Sequence, residues 1–89
     1  MNEERELTVG SKYIVYSVGS GKEIMQTSGI FVGYSYLSKE EGGICIKMDE
    51  SHGSKKGMIR IIPMEAIIAI DIVEEKKVEK KEEEKHYFR

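Results

Sequence analysis

Residues 24 to 37 read IMQTSGIFVGYSYL and predict one unusually long β-strand. Gly29 and Gly33 lie four residues apart in it, on one face of a regular strand. Glycine has no side chain, so a strand can bend sharply at it, and two such points let a narrow sheet curl onto itself. The segment therefore predicts a small barrel rather than a flat sheet.

Four further short strands flank this segment, each with the period-two alternation of apolar residues that indicates a strand. Gly19, Gly21 and Gly43 lie in the intervening turns, and Pro63 ends the fourth strand because it lacks a ladder donor. The third strand should turn Ile44, Ile46 and Met48 to one face, and the last should point Ile68, Ile70 and Ile72 inward. The predicted fold is all-β, a five-stranded, strongly bent antiparallel barrel with strands at 12–18, 24–37, 44–49, 58–62 and 67–73.

The chain divides into one domain, residues 1–74, and a charged tail, residues 75–89. Asn2 can cap a short N-terminal turn that runs to Leu7. Residues 74–85 read EEKKVEKKEEEK, in which only Val78 interrupts the charge. Attractive and repulsive charge pairs roughly cancel there, which predicts a frayed helix or a disordered tail with no apolar face to dock on the domain.

Composition narrows the function classes. The formal net charge is −2, so nucleic-acid binding would need locally concentrated positive charge. The single cysteine, Cys45, allows neither an internal disulfide nor a multi-cysteine zinc site, and no metal or other cofactor is predicted. No run approaches the roughly 18 apolar residues of a membrane helix, and the acidic start is unlike a signal peptide, which predicts a cytoplasmic protein without a membrane partner. Lys and Glu dominate the charge, as in thermophile proteins.

The long strand also resembles the first motif of the Sm-like proteins, small barrels that form rings and in many members bind single-stranded RNA. That motif has a glycine, an aliphatic position, a small residue, an aromatic and an aspartate, and residues 29–35, GIFVGYS, follow its order until Ser35 replaces the aspartate. Residues 59–61, IRI, resemble the Ile-Arg-Gly of the second motif, followed by a short final strand. The resemblance spans about residues 9–73 and implies the fold.

The residues that form the RNA pocket in this family are missing. Besides the aspartate replaced by Ser35, no asparagine occurs after Asn2, and Ile61 occupies the position of the motif's glycine. The resemblance therefore implies a divergent member without the uridine pocket. It also implies ring formation by pairing of the fourth strand of one copy with the fifth of the next, for which the candidate interface residues are Met58, Ile59, Ile61, Ile67 and Ala69.

Two groups of residues are candidates for ligand or nucleic-acid contact. His52, Lys55, Lys56 and Arg60 form a local excess of positive charge that suits phosphates, although Asp49 and Glu50 partly neutralise it and a solvated loop is the favoured interpretation. Tyr34 and Tyr36, with Ser35 between them, should share a face with Ile30 and Val32, where the rings can stack on bases or pack at the barrel rim.

Three other patterns give weaker indications of function. Gly19-Ser20-Gly21-Lys22 lacks the first glycine and the following Ser or Thr of a phosphate-binding loop, which leaves a hairpin turn. Cys45 and His52 are not spaced as a nucleophile and its base, which favours a structural cysteine. The aromatic segment 86–89, HYFR, is unusual in a charged tail and suggests an anchor on a neighbouring subunit or partner groove, or else chance composition.

These patterns favour a non-enzymatic β-barrel module for binding or assembly, homo-oligomeric, with itself and a further protein as partners. The alternative is weak binding of RNA or single-stranded nucleic acid by an Sm-like ring. An enzyme at a subunit interface would need acidic and basic groups from several copies to converge, which nothing in the sequence predicts.

Overall fold

The computed structural model describes residues 6–77 of the 89-residue chain. Its strands are β1 (Lys12–Val18), β2 (Ile24–Ser38), β3 (Glu41–Met48), β4 (Ile59–Pro63) and β5 (Ile67–Glu74). Two 3₁₀ turns, Glu50–Lys55 and Met64–Ala66, precede β4 and β5. The predicted N-terminal turn and charged tail lie largely outside the described residues, since only 6–7 and 75–77 of them are described.

All five strands belong to one antiparallel sheet in the order β4-β3-β2-β1-β5. β2 pairs with β1 through residues 24–30 and with β3 through residues 29–38. The strand is long because its first half pairs with one neighbour and its second half with the other. Within residues 6–77 no pairing joins β4 to β5, and the sheet has two open edges. The prediction of five antiparallel strands is confirmed at the level of a sheet.

The core lies on one face of this sheet. Its buried members are Tyr13 and Val15 of β1, Phe31 of β2, and the isoleucines Ile44, Ile46 and Ile62, with Leu7, Ile67 and Ile70 packed against them. The prediction that Ile44, Ile46 and Met48 face inward is confirmed, since all three are buried. On β1 the inward face is that of Tyr13 and Val15.

Gly29 and Gly33 act in different ways. A Cβ atom on Gly29 would lie 2.1 Å from the carbonyl oxygen of Lys47, so only glycine allows β2 and β3 to approach this closely. Gly33 has a φ of +136° and follows a bulge, since Phe31 pairs with Ile46 while Gly33 pairs with the next residue, Cys45. A bulge bends its strand and strengthens the local twist.

Because of this bulge, the side chains of β2 after Val32 point to the opposite faces from those predicted. Because Val32 is an extra residue in the ladder, Gly33 faces away from Gly29, and Tyr34 lies opposite Ile44 on the core face of Phe31. Tyr34 and Tyr36 therefore do not share a face with Ile30, as a regular strand would require.

The β2–β3 turn is shorter than the predicted loop at 38–43. It comprises Lys39 and Glu40 alone, because β3 already begins at Glu41. Gly42 and Gly43 are strand residues opposite Tyr36 and Ser35. A side chain on Gly43 would meet the carbonyl oxygen of Ile62 at 2.7 Å, so this glycine serves strand packing rather than a turn.

The inward face of β5 also differs from the prediction. Ser17 of β1 pairs with Ile67, and Tyr16 pairs with Ala69, so Ile68 is bulged out and is 53% exposed. Ile70 packs against the core as predicted. Ile72 lies opposite buried Tyr13, yet it remains 43% exposed because β5 is an edge strand with no neighbour beyond it.

Candidate binding surfaces

The most densely bonded polar site lies where the 50–55 turn meets β2. The Asp49 carboxylate accepts hydrogen bonds from the Ser28 hydroxyl (2.6 Å), the Ser51 hydroxyl (2.6 Å) and the Ser51 amide (3.0 Å). The ammonium group of Lys12 lies 3.4 Å from the same carboxylate. Hydrogen bonds from Ser28 and then Ser51, which favour the charged form, hold the pKa of the Asp49 carboxyl well below its ordinary value.

His52 belongs to the same site. Its Nε2 atom accepts a hydrogen bond of 2.9 Å from the backbone amide of Ser28, so in the neutral ring the proton lies on Nδ1. The carbonyl oxygen of Ser28 accepts from the Asp49 amide at 3.1 Å. Amide, carbonyl and hydroxyl of one β2 residue thus all fasten the turn to the sheet.

Ser28, His52 and Asp49 lie close together here, but their hydrogen bonds are not those of a nucleophilic triad. A triad needs the imidazole within reach of the serine hydroxyl and the aspartate on the other ring nitrogen. The Ser28 hydroxyl instead bonds Asp49 directly, and His52 is occupied by a backbone amide. The site fixes a loop, and its hydrogen bonds do not prepare a nucleophile.

Cys45 and His52 are not partnered. Cys45 is buried in β3 opposite Gly33 and Ile61, whereas His52 bonds Ser28 of β2. Across residues 6–77, no cluster of three or more His, Cys, Asp or Glu side chains is placed to hold a metal ion.

The predicted basic group of His52, Lys55, Lys56 and Arg60 does not form one surface in the structure. Lys55 and Lys56 are exposed at the end of the 50–55 turn. Arg60 is half-buried on β4 and donates a hydrogen bond of 2.8 Å from Nη1 to the hydroxyl of buried Thr27. The arginine therefore braces β4 against β2, and the exposed lysines are the members of the group that face solvent.

The predicted tyrosines lie at the other end of β2. Tyr34 and Tyr36 are 60% and 80% exposed, while Ser35 between them is half-buried opposite Gly43. Tyr34 lies six positions after Ser28, roughly 20 Å at about 3.3 Å per residue of strand. The tyrosines and the basic turn thus do not form one continuous surface.

Tyr34 lines a cleft of about 500 Å³ beside the core. Its ring packs edge-on against Phe31, with the ring centroids 5.1 Å apart. Among residues 6–77 the other lining side chains are apolar, except for one carboxylate: Leu7, Ile44, Met64, Ile67, Ile70 and Glu6. We call this site the Tyr34 cleft; the sequence could not reveal it, because its walls come from four separate parts of the chain.

The predicted interface residues lie on the two edge strands or next to them. On the β4 side, Met58, Ile59 and Ile61 are all exposed. On β5, Ala69 is exposed, and Ile67 is half-buried against the core. Sequence reasoning missed further exposed apolar side chains on β5: Ile68, Ile72 and Val73.

Asp49 and Ser28 hold the 50–55 turn on the sheet, a structural role that the sequence did not predict. The sequence assigns Asp49 a neutralising effect on the loop lysines. The only local signal of its further role is a serine two residues later, the spacing at which an Asp side chain caps a turn. The contact with Ser28 spans 21 residues and has no local signature.

No helix formed by residues 6–77 is long and apolar enough to cross a membrane. Comparison with protein-family models, with curated proteins and with solved structures finds no match to this chain.

Proposed function

We propose that this chain is a non-enzymatic assembly module that associates with copies of itself through the open edges β4 and β5. An edge strand presents unpaired backbone N–H and C=O groups, which a second chain can pair. Proteins that remain monomeric usually protect such edges with charged side chains, proline or covering segments. On β4 the charged residue, Arg60, bonds Thr27, and the proline, Pro63, comes only at the last position of the strand. On β5 the charges are Asp71, which accepts a hydrogen bond from the Tyr16 hydroxyl, and the terminal Glu74.

The exposed apolar side chains on these strands support the proposal. Ile59 of β4 is 57% exposed, and Ile68 of β5 is 53% exposed. Burying a fully exposed isoleucine contributes about 1.5–3 kcal/mol, so covering these half-exposed side chains contributes about half as much each. Strand pairing between copies would cover apolar side chains and satisfy backbone groups together.

The Sm-like resemblance is part of the same proposal. The fourth and fifth strands lie at opposite edges of the sheet, which is what head-to-tail pairing of identical copies requires. The bulges beside Gly33 and at Ile68 favour a bent sheet, so we extend the proposal to a barrel-like curvature that brings the edges into position.

The test is the mass of the full chain in solution by light scattering coupled to size exclusion. We expect a multimer for the natural sequence and a monomer for the variant Ile59→Lys/Ile61→Lys, which charges β4. Ile24→Lys is the matched control, because Ile24 is 61% exposed but lies on β2, outside both edge strands. A natural chain that is monomeric at 100 μM would overturn the proposal.

Weak RNA binding is the competing function, and the exposed Lys55 and Lys56 are the feature that favours it. Phosphate binding through lysines weakens steeply as salt rises, whereas an apolar contact between copies scarcely responds. Anisotropy of a labelled single-stranded RNA, measured from 50 to 300 mM salt with the natural chain and with Lys55→Ala/Lys56→Ala, separates the two. Retention of RNA that is lost in the lysine variant would favour the competing function.

A further inference from the structure

We propose that the Tyr34 cleft binds the aromatic segment His86–Arg89 of the same chain. The cleft is concave, open to solvent and walled by apolar side chains, and about 500 Å³ is within the range of sites that bind groups larger than a single side chain. The proposal concerns a contact within one copy, so it does not depend on self-association.

The chemistry of the cleft matches this segment. Tyr34 and Met64 are 60% and 50% exposed, so the cleft leaves a large apolar surface uncovered by residues 6–77. Between Glu74 and Lys85 the sequence offers only Val78 as an apolar side chain, and then two aromatic residues, Tyr87 and Phe88, follow. Aromatic side chains bury about 150–250 Å² each, which makes them the best candidates in this part of the chain to fill an apolar cleft.

Charge favours the same occupant. Glu6 is the one ionisable carboxylate among the side chains that line the cleft, and it is exposed at the rim. The two aromatic residues are flanked by His86 and Arg89, and the arginine carries a permanent positive charge. An arginine at the rim would face Glu6 while the rings enter the apolar part.

The chain also leaves the sheet at a suitable place. After β5, the amide of Lys76 donates a hydrogen bond of 2.8 Å to the hydroxyl of Ser11. The Ser11 amide in turn donates to the carbonyl oxygen of Thr8 at 3.1 Å, and Leu7, the preceding residue, lines the cleft. The end of the described chain therefore runs beside the segment that forms one wall.

Tyr87 lies ten positions after Lys77, which lets the chain reach about 33–36 Å when extended. A tether of this length gives the aromatic segment an effective concentration in the millimolar range near its own cleft. A contact whose dissociation constant lies below this effective concentration is then largely formed within one copy, even at micromolar protein.

The test is methyl NMR of the full chain, comparing the natural sequence with Tyr87→Ser/Phe88→Ser. The sheet and its core are formed by residues 7–74, so we expect these substitutions to leave the core intact. We expect the methyl signals of Leu7, Ile67 and Ile70 to shift, and those of Val18 on the far end of β1 to stay. Val78→Ser is the matched control, because it removes the other apolar residue that follows Glu74 but lies outside the aromatic segment, and it should shift none of the cleft signals.

Nuclear Overhauser contacts decide which copy supplies the segment. Contacts from the Phe88 ring to the Ile67 methyl within one labelled copy would support the proposal. Contacts seen only between labelled and unlabelled copies, or no contacts together with unshifted methyls, would overturn it. Arg89→Glu should weaken the contact severalfold at low salt, and adding Glu6→Lys should restore it. If the second substitution does not restore the contact, the proposed pairing of Arg89 with Glu6 is wrong.

Discussion

Gly29 lies where two strands approach too closely for any side chain. A methyl group there would meet backbone atoms of Lys47, which cannot move aside without breaking the β2–β3 ladder. We expect Gly29→Ala to lower the free energy of unfolding by about 3 kcal/mol or to prevent folding. Urea titration followed by circular dichroism measures this.

Gly42 is the matched control for that substitution. It lies on β3, and a Cβ atom there would meet only the carbonyl oxygen of Ser35, at 3.7 Å. We expect Gly42→Ala to be neutral or to stabilise the fold by about 0.4–1 kcal/mol, since alanine restricts the unfolded chain. Equal losses in both variants would show that close strand approach is not what Gly29 provides.

Asp49 should make stability depend on acid pH. Its pKa is lowered in the folded chain, so its contribution is complete above the ordinary carboxyl value of about 3.9 and is lost as pH falls toward the lower folded value. We expect Asp49→Asn to destabilise the protein at pH 7 by about 1.5–3 kcal/mol, the scale of hydrogen bonds to a charged group. Urea titrations at pH 7, 5 and 3 should show a gap between the two proteins that is constant from pH 7 to 5 and smaller at pH 3. A gap that does not narrow would contradict this assignment.

At the scale of the elements, the presence and order of all five strands and the importance of Gly29 and Gly33 follow from the sequence, whereas β3 begins three residues before its predicted start. The faces beyond Val32 do not, because one extra residue in a ladder reverses every later side chain and leaves the period-two pattern itself unchanged. For the same reason Ile68 could not be placed: the bulge opposite Ser17 depends on pairing with a strand 50 residues away. Local alternation predicts strands, whereas register is decided by tertiary contacts.

The 50–55 turn should depend on His52 for its attachment to β2. His52→Ala removes the acceptor of the Ser28 amide, and an unpaired, partly buried amide costs about 1–3 kcal/mol. We therefore expect faster hydrogen exchange at the Ser28 amide in this variant, measured by NMR. Lys55→Ala should leave that exchange rate unchanged, because Lys55 is an exposed residue of the same turn. Unaltered exchange in His52→Ala would mean that other contacts hold the turn.

For the whole molecule, the sequence indicates which residue types form candidate surfaces, but it does not show which of those residues lie together in the fold. Apolar residues of the fourth and fifth strands could be proposed as an interface because the Sm-like resemblance implies that these strands pair between copies and because both are apolar. The Tyr34 cleft could not, since Leu7, Tyr34, Ile44 and Met64 meet only after the sheet has formed. The basic residues and tyrosines, grouped by composition, are separated by half the length of β2.

Association through the edges should also make thermal stability depend on protein concentration. Binding that is restricted to the folded state adds a term RT ln(1 + [L]/Kd) to the free energy of unfolding, about 2.7 kcal/mol when the partner is at 100 times its dissociation constant. Because each copy is the other's ligand, we expect the midpoint to rise by several degrees between 2 and 200 μM in calorimetry or circular dichroism at matched scan rates. Ile61→Lys places a charge on the exposed edge of β4 and should make the midpoint independent of concentration, while Ile24→Lys should preserve the rise. A midpoint that is constant in the natural chain would mean that β4 and β5 stay unpaired in solution, and their exposed isoleucines would then need another partner.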